Sequence, residues 1–187
     1  MAGKWVPAFA VTTIQMDPIK RLEMTARGRL GLPLRHPAAW IATWFGAGLL
    51  PAMPGTWGSL AALPGAWAIT ALAGRAALAA AAALAFAVGC WAAAVVARAS
   101  GRDDPGFIVI DEVAAQWLIL VAAPLDWRAY AAAFLLFRVF DIAKPWPARL
   151  IERRVAGGLG IMLDDVAAAF YAVVLMLIGE GIFGVRP

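Results

Sequence analysis

The sequence has very few of the residues that covalent cross-linking and histidine or cysteine chemistry require. Its 187 residues include one cysteine, Cys90, and one histidine, His36. A single cysteine excludes an intramolecular disulfide, and a single histidine excludes lipid phosphatases that use two histidines from one chain. No arginine follows Cys90 at the spacing of a cysteine-phosphatase loop, and no GxxxxGK[ST] loop occurs. We expect Cys90, which lies in an apolar run, to be a buried packing residue.

Charged residues are also scarce. They make up 15% of the chain, against 63% hydrophobic residues and a mean hydropathy of +0.78, whereas soluble domains carry about 25% charged residues. Residues 76–97 hold no charge and exceed the roughly 20 residues that cross a bilayer as a helix. We therefore expect an all-α integral membrane protein. The alternative is a soluble helical protein with an alanine-rich buried helix.

The apolar pattern predicts a helical bundle with about four to five membrane segments. We expect a helix after PGTWGS that runs to about Ala73 with an interruption at Pro64, followed by segments 76–97, 108–124, 129–140 and 165–184. Residues 38–53 are apolar but short and end in Gly and Pro, which predicts a possible re-entrant half-helix. We divide the chain into a basic cytoplasmic tail, residues 1–36, without the apolar core of a signal peptide, and a membrane-embedded domain, residues 37–187.

Basic residues are distributed unevenly over these segments. With the N-terminus in the cytoplasm, only Arg75, Arg128 and Arg186 fall on the outer side, which fits the positive-inside rule. The net charge of +4 is then explained by membrane orientation and contact with anionic lipid. No basic stripe with interleaved aromatics indicates nucleic-acid binding.

Acidic residues gather where the predicted apolar helices begin or end. The pairs Asp111–Glu112 and Asp164–Asp165 precede long apolar runs, and Asp141 follows one. All are predicted at the cytoplasmic boundary, where unpaired and adjacent carboxylates are costly. Because carboxylate oxygens are the ligands of Mg²⁺ in phosphate sites, we predict a metal-phosphate site. The alternative for Asp111 and Asp164 is helix N-capping.

Two cations accompany the acids. Arg138 and Lys144 flank Asp141 at helical spacing in FRVFDIAKPWP, residues 137–147, and guanidinium and ammonium groups both bind phosphate. Alternatively they reach the membrane interface or pair with Asp141. In PGTWGS, Thr56 and Ser59 lie in a turn that could present N–H groups to an anion or simply cap a helix.

Four blocks in this order resemble the phosphatidylglycerophosphatase A family. They are PAMPGTWGSLAALP (51–64), DDPGFIVIDEVAAQW (103–117), FRVFDIAKPWP (137–147) and GIMLDDVAAAFYA (160–172). The sequence departs from the family pattern where Ala115 and Ala169 replace glycine. The resemblance implies a bacterial, mostly helical inner-membrane enzyme, and the topology predicted above places its active site at the cytoplasmic face. It also implies a Mg²⁺-dependent reaction that removes the terminal phosphate of phosphatidylglycerophosphate.

The resemblance assigns a role to each candidate residue. Mg²⁺ is expected at Asp111, Glu112, Asp164 and Asp165, with Asp141 a further candidate, and the phosphate at Arg138, Lys144, Thr56 and Ser59. The attacking group is expected to be a water activated by the metal, or else an aspartate. The alternatives are a phosphatase of another phosphate ester and a non-enzymatic protein that binds or transports divalent cations.

Overall fold

The computed structural model describes residues 25, 27–146 and 148–183, and within them it contains helices and no β-strand. The expectation of an all-α fold is confirmed. The predicted tail, residues 1–36, lies mostly outside the described part, so the division into tail and domain stays a prediction. From residue 37 onward the helices are α1 (Pro37–Ala42), a 3₁₀ turn (Ala47–Leu49), α2 (Pro54–Ser100), α3 (Ile110–Ala122), α4 (Trp127–Ala143), α5 (Ala148–Arg154) and α6 (Gly157–Phe183).

Helix α2 is a hairpin of two limbs. Gly58 lies against the side chain of Val109, and Gly89 lies against the side chains of Ile110 and Met162. In a straight helix, positions 58 and 89 would lie about 46 Å apart, yet both meet the start of α3. The chain reverses at Gly74, whose φ of 82° and ψ of 173° are accessible essentially only to glycine. The limbs are residues 54–73 and 75–100, with the break where the sequence predicted it.

The remaining long helices pack on this hairpin. The Trp117 indole of α3 donates to the Ala62 carbonyl at 2.9 Å, and Trp67 meets Tyr130 of α4 edge-on with centroids 5.0 Å apart. Helix α6 packs on the second limb, where Gly158 lies against the Cys90 carbonyl. One end of the bundle thus gathers the starts of α2, α3 and α6 and the end of α4. Cys90 itself is half-buried rather than buried.

Two helices of the described chain are long and apolar enough to cross a membrane: Pro54–Ser100 and Gly157–Gly179. In their most apolar stretches 33% and 44% of the residues are buried, so more than half of these positions are partly or fully exposed. Large side chains such as Leu72, Leu84 and Phe170 are exposed on them. This favours membrane association. Helix α3, at 13 residues, is shorter than a span, and the count of four to five membrane segments stays a prediction.

Two helix starts and one expected interruption differ from the sequence analysis. Helix α2 begins at Pro54, because proline is well suited to a first helical position, and it continues through Pro64. Helix α6 begins at Gly157, eight residues before the predicted span. Segment 38–53 is broken as expected, with positive φ at Trp44, Phe45 and Gly46, but whether it re-enters a membrane stays a prediction.

Candidate active site

Three acidic side chains converge at the end of the bundle where α3 begins. Asp111 and Glu112 lie in the first turn of α3, and Asp165 comes from α6, which packs beside it. One carboxylate oxygen from each of the three lies within 4.8 Å of the other two. These residues are called the acid cluster below. Asp111 and Asp165 are buried, so their charges are removed from most of the surrounding water.

Each member of the acid cluster keeps an oxygen without a partner in the described part of the chain. Asp111 Oδ1, Glu112 Oε2 and Asp165 Oδ2 are buried and accept no hydrogen bond there. Burial disfavours the charged form of a carboxylate, and neighbouring like charges disfavour it further. The protein alone does not stabilise these carboxylates, and three oxygens at such spacing fit a hard divalent cation.

Helix α4 supplies a guanidinium to the cluster. Arg138 Nη1 lies 2.5 Å from Asp141 Oδ2 and 3.9 Å from Glu112 Oε1. The pairing with Asp141 is the alternative that the sequence allowed, but the same guanidinium also faces the acid cluster. Arg138 Nε is buried and has no hydrogen-bond partner among the described residues. Arg138 therefore balances two carboxylates and retains a donor for another group.

The second cation, Lys144, ends α4 and reaches α6. Its Nζ donates to Asp164 Oδ2 at 2.7 Å. Lys144 has φ of 41° and ψ of 64°, a left-handed conformation that is costly for a non-glycine residue and more so before a proline. Backbone strain of this kind concentrates at functional sites. Asp164, predicted with the metal ligands, thus forms an ion pair, while the other three predicted ligands form the acid cluster.

Helix capping does not account for the acids. Asp164 and Asp165 lie about two turns inside α6, because that helix begins at Gly157. Asp111 is in the first turn of α3, but the cap position there is Val109, and in the described structure no side chain caps this N-terminus. The carboxylates are therefore available to each other, to the cations and to a ligand.

The PGTWGS segment touches the site through a glycine. Gly55 packs so closely that an added Cβ would overlap Glu112 and lie 3.0 Å from Arg138 Nη1. Thr56 Oγ1 is buried without a hydrogen-bond partner in the described residues. The Ser59 hydroxyl is buried and donates to the Gly55 carbonyl at 2.9 Å. This geometry gives Ser59 a packing role, and its assignment to substrate stays a prediction that the geometry does not favour.

Two features near the site were not found from the sequence. Gln116 is fully buried, and neither amide atom has a partner among the residues described. It lies one turn after Glu112 and therefore on the same face of α3. In the sequence, Gln116 could have been noticed as a single amide residue within an otherwise apolar stretch of the helix. A cavity of about 250 Å³ also opens beside Asp164, lined in part by Asp103, Asp104 and Arg154.

Comparison with known proteins gives a consistent result. The family model for Phosphatidylglycerophosphatase A matches residues 40–180. A Haemophilus influenzae protein named Phosphatidylglycerophosphatase A is 40% identical over 146 residues, covering 78% of this chain and 90% of the relative. The Escherichia coli protein of that name is 39% identical over 167 residues, covering 88% and 95%. A Bacteroides thetaiotaomicron protein, provisionally named a phosphatidylinositol-3-phosphatase, is 39% identical over 151 residues, covering 77% and 94%. No solved structure is significantly similar.

Proposed function

Because this chain belongs to the phosphatidylglycerophosphatase A family, we propose that it removes the terminal phosphate of phosphatidylglycerophosphate to give phosphatidylglycerol. We further propose that the reaction requires Mg²⁺. The observation that carries the proposal is the acid cluster with its three unpartnered buried oxygens beside Arg138. A divalent cation would supply the positive charge that the carboxylates lack, and a phosphate monoester would complete its coordination and accept a hydrogen bond from Arg138.

The residues of the acid cluster would hold the cation. Asp111, Glu112 and Asp165 each offer a hard oxygen ligand, and a Mg²⁺ site commonly completes its coordination with water and substrate phosphate. When bound, the cation neutralises charge on the phosphate and makes a water molecule more acidic. The chain has no Ser-His or Cys-His pair in this site to serve as nucleophile, so we propose water as the attacking group, with an aspartate as the alternative.

The two cations of α4 would position the phosphate. Arg138 has a free Nε and is already fixed by Asp141, so its guanidinium can donate to phosphate without a large loss of side-chain entropy. Lys144 is fixed by Asp164. We therefore give Asp141 and Asp164 a positioning role, in which each orients a cation rather than binding the metal.

We propose that the enzyme is a multi-pass protein of the bacterial inner membrane with this site facing the cytoplasm. Arg98, Arg102 and Arg154 line cavities at the acid-cluster end. Arg75 lies at the hairpin turn of α2, and Arg128 at the start of α4, which are both at the other end of the bundle. An excess of basic residues at one end supports an orientation with that end in the cytoplasm.

The test is phosphate release from phosphatidylglycerophosphate by the purified protein in detergent, with and without Mg²⁺. Release should require Mg²⁺, and Asp111→Asn or Asp165→Asn should abolish it. Asp126→Asn is the matched control, because Asp126 caps α4 at the other end of the bundle and should leave the rate unchanged. Turnover at the wild-type rate in both site variants would exclude the metal assignment. Folded wild-type protein that releases no phosphate would exclude the activity.

A second candidate is a phosphatase of another lipid phosphate monoester. The Bacteroides thetaiotaomicron relative, whose name gives a phosphoinositide activity, is nearly as similar as the two phosphatidylglycerophosphatases. Phosphatidylinositol 3-phosphate should therefore be assayed beside phosphatidylglycerophosphate at equal surface concentration. A higher kcat/KM for the phosphoinositide would favour this second candidate.

A further inference from the structure

An apolar groove lies between the second limb of α2, α3 and α6. Its volume is about 290 Å³. The residues that line it include Ala82, Ala83, Phe86, Ala114, Leu118 and Val166. The groove exists because α2 carries an unbroken run of alanines at 79–83, whose side chains are too small to fill the space between three helices. It is open at the surface, since Ala83 and Leu118 are exposed.

One end of the groove adjoins the acid cluster. Ala114 lies one helical turn after Asp111, and Val166 directly follows Asp165. Along the second limb of α2 the lining extends from Phe86 to Ala79, a rise of about 10 Å, toward the hairpin turn and away from the acids. A ligand that fills both places must therefore carry a charged group at one end and an apolar chain at the other.

We propose that this groove binds one acyl chain of a glycerophospholipid whose phosphate monoester occupies the acid cluster. The inference rests on the proposed function and adds how the substrate is oriented. Three observations support an acyl chain as occupant. The side chains lining the groove are apolar, two of them lie within one helical turn of Asp111 and Asp165, and the groove is lined by α2 and α6, the helices suited to a bilayer.

The groove should position the substrate rather than supply much affinity. An acyl chain in a bilayer is already in an apolar medium, so the hydrophobic effect does not favour its transfer into the groove strongly. A chain held along α2 does fix the direction from which the head group approaches the acids, and orientation of that kind acts on catalysis. The groove should therefore matter for substrates with acyl chains and not for deacylated ones.

A substitution that fills the groove tests whether the groove positions an acyl chain. Ala83→Phe places a ring in the groove, and Ala80→Phe is the matched control, because Ala80 is exposed on the same limb but does not line the groove. For long-chain phosphatidylglycerophosphate in mixed micelles, kcat/KM of Ala83→Phe should fall at least tenfold. For the deacylated water-soluble analogue it should change less than twofold, and Ala80→Phe should resemble wild type with both. An equal fall with both substrates, or no fall with the long-chain one, would overturn the proposal.

A second measurement does not depend on activity. Phosphatidylglycerol with a photoreactive group in one acyl chain should label peptides that contain residues 79–86 or 114–118, and Ala83→Phe should reduce the labelling. Labelling spread evenly over exposed apolar faces such as Val139 of α4, or cross-links between two copies through the groove, would show another occupant and refute the proposal. Labelling in the groove by a protein that releases no phosphate would mean that the proposed function fails while the groove assignment stands.

Discussion

Gly55→Ala should separate activity from stability. The added Cβ would overlap Glu112 Oε1 and lie 3.0 Å from Arg138 Nη1. Because the backbone at Gly55 is part of α2, the Glu112 carboxylate must move away by about 1 Å to make room for the Cβ. A misplacement of that size can lower turnover about 100-fold. Alanine also favours helix over glycine by up to about 1 kcal/mol, so the fold should not be weakened much. We expect kcat to fall about 100-fold with little change in melting temperature.

The assay compares kcat, the Mg²⁺ concentration for half-maximal rate, and the melting temperature of the purified variants. Gly65→Ala is the control, because its Cβ would meet only Trp117 Cζ2 at 3.4 Å, an ordinary contact far from the acids. Gly55→Ala should also need more Mg²⁺, since Glu112 is displaced from the other two carboxylates. A variant with kcat and Mg²⁺ dependence within threefold of wild type would refute the claim that Glu112 acts from its present position.

Three further substitutions test neighbouring contacts. Lys144→Ala removes the ammonium that lies 2.7 Å from Asp164, so KM in the phosphate-release assay should rise about tenfold; an unchanged KM would show that Lys144 does not bind substrate. Ser59→Ala should keep the rate within twofold because the hydroxyl bonds to its own helix, and a large loss of rate would restore Ser59 as a substrate ligand. Trp117→Phe deletes the hydrogen bond to the Ala62 carbonyl and should lower the free energy of unfolding by about 1 kcal/mol in a denaturation assay, whereas unchanged stability would contradict that bond.

The sequence was sufficient to predict that three of the candidate acids lie close together. Charge is rare in this chain and costly at the ends of apolar helices, so Asp111, Glu112 and Asp165 stood out, and the structure places them together. The turn at Gly74 was also predictable, since a glycine and a charged residue separate two apolar runs. Both predictions depend on local composition, which the sequence shows directly.

The remaining details depend on contacts between distant segments. The sequence around Asp164 does not show that its carboxylate pairs with Lys144, which lies twenty residues earlier. The four predicted metal ligands therefore divide into the three residues of the acid cluster and Asp164, which forms an ion pair. The role of Gly55 is likewise defined by Glu112 and Arg138 opposite it. The helical position of Ser59 was not predicted, because PGTWGS was interpreted as a turn before a helix, whereas Pro54 is already the first helical residue.

The charged residues of FRVFDIAKPWP, residues 137–147, each face an opposite charge. Asp141 pairs with Arg138 and Lys144 with Asp164, so each cation is shared with a carboxylate that does not belong to the acid cluster. Without Asp141, the Arg138 guanidinium would move toward the acid cluster and occupy the place proposed for the metal ion. The reason is that a buried guanidinium and buried carboxylates attract strongly in a medium of low dielectric constant. Asp141 and Asp164 hold the cations to one side instead. The acid cluster therefore keeps its unpartnered oxygens, and this deficit of positive charge is what supports the proposed divalent cation.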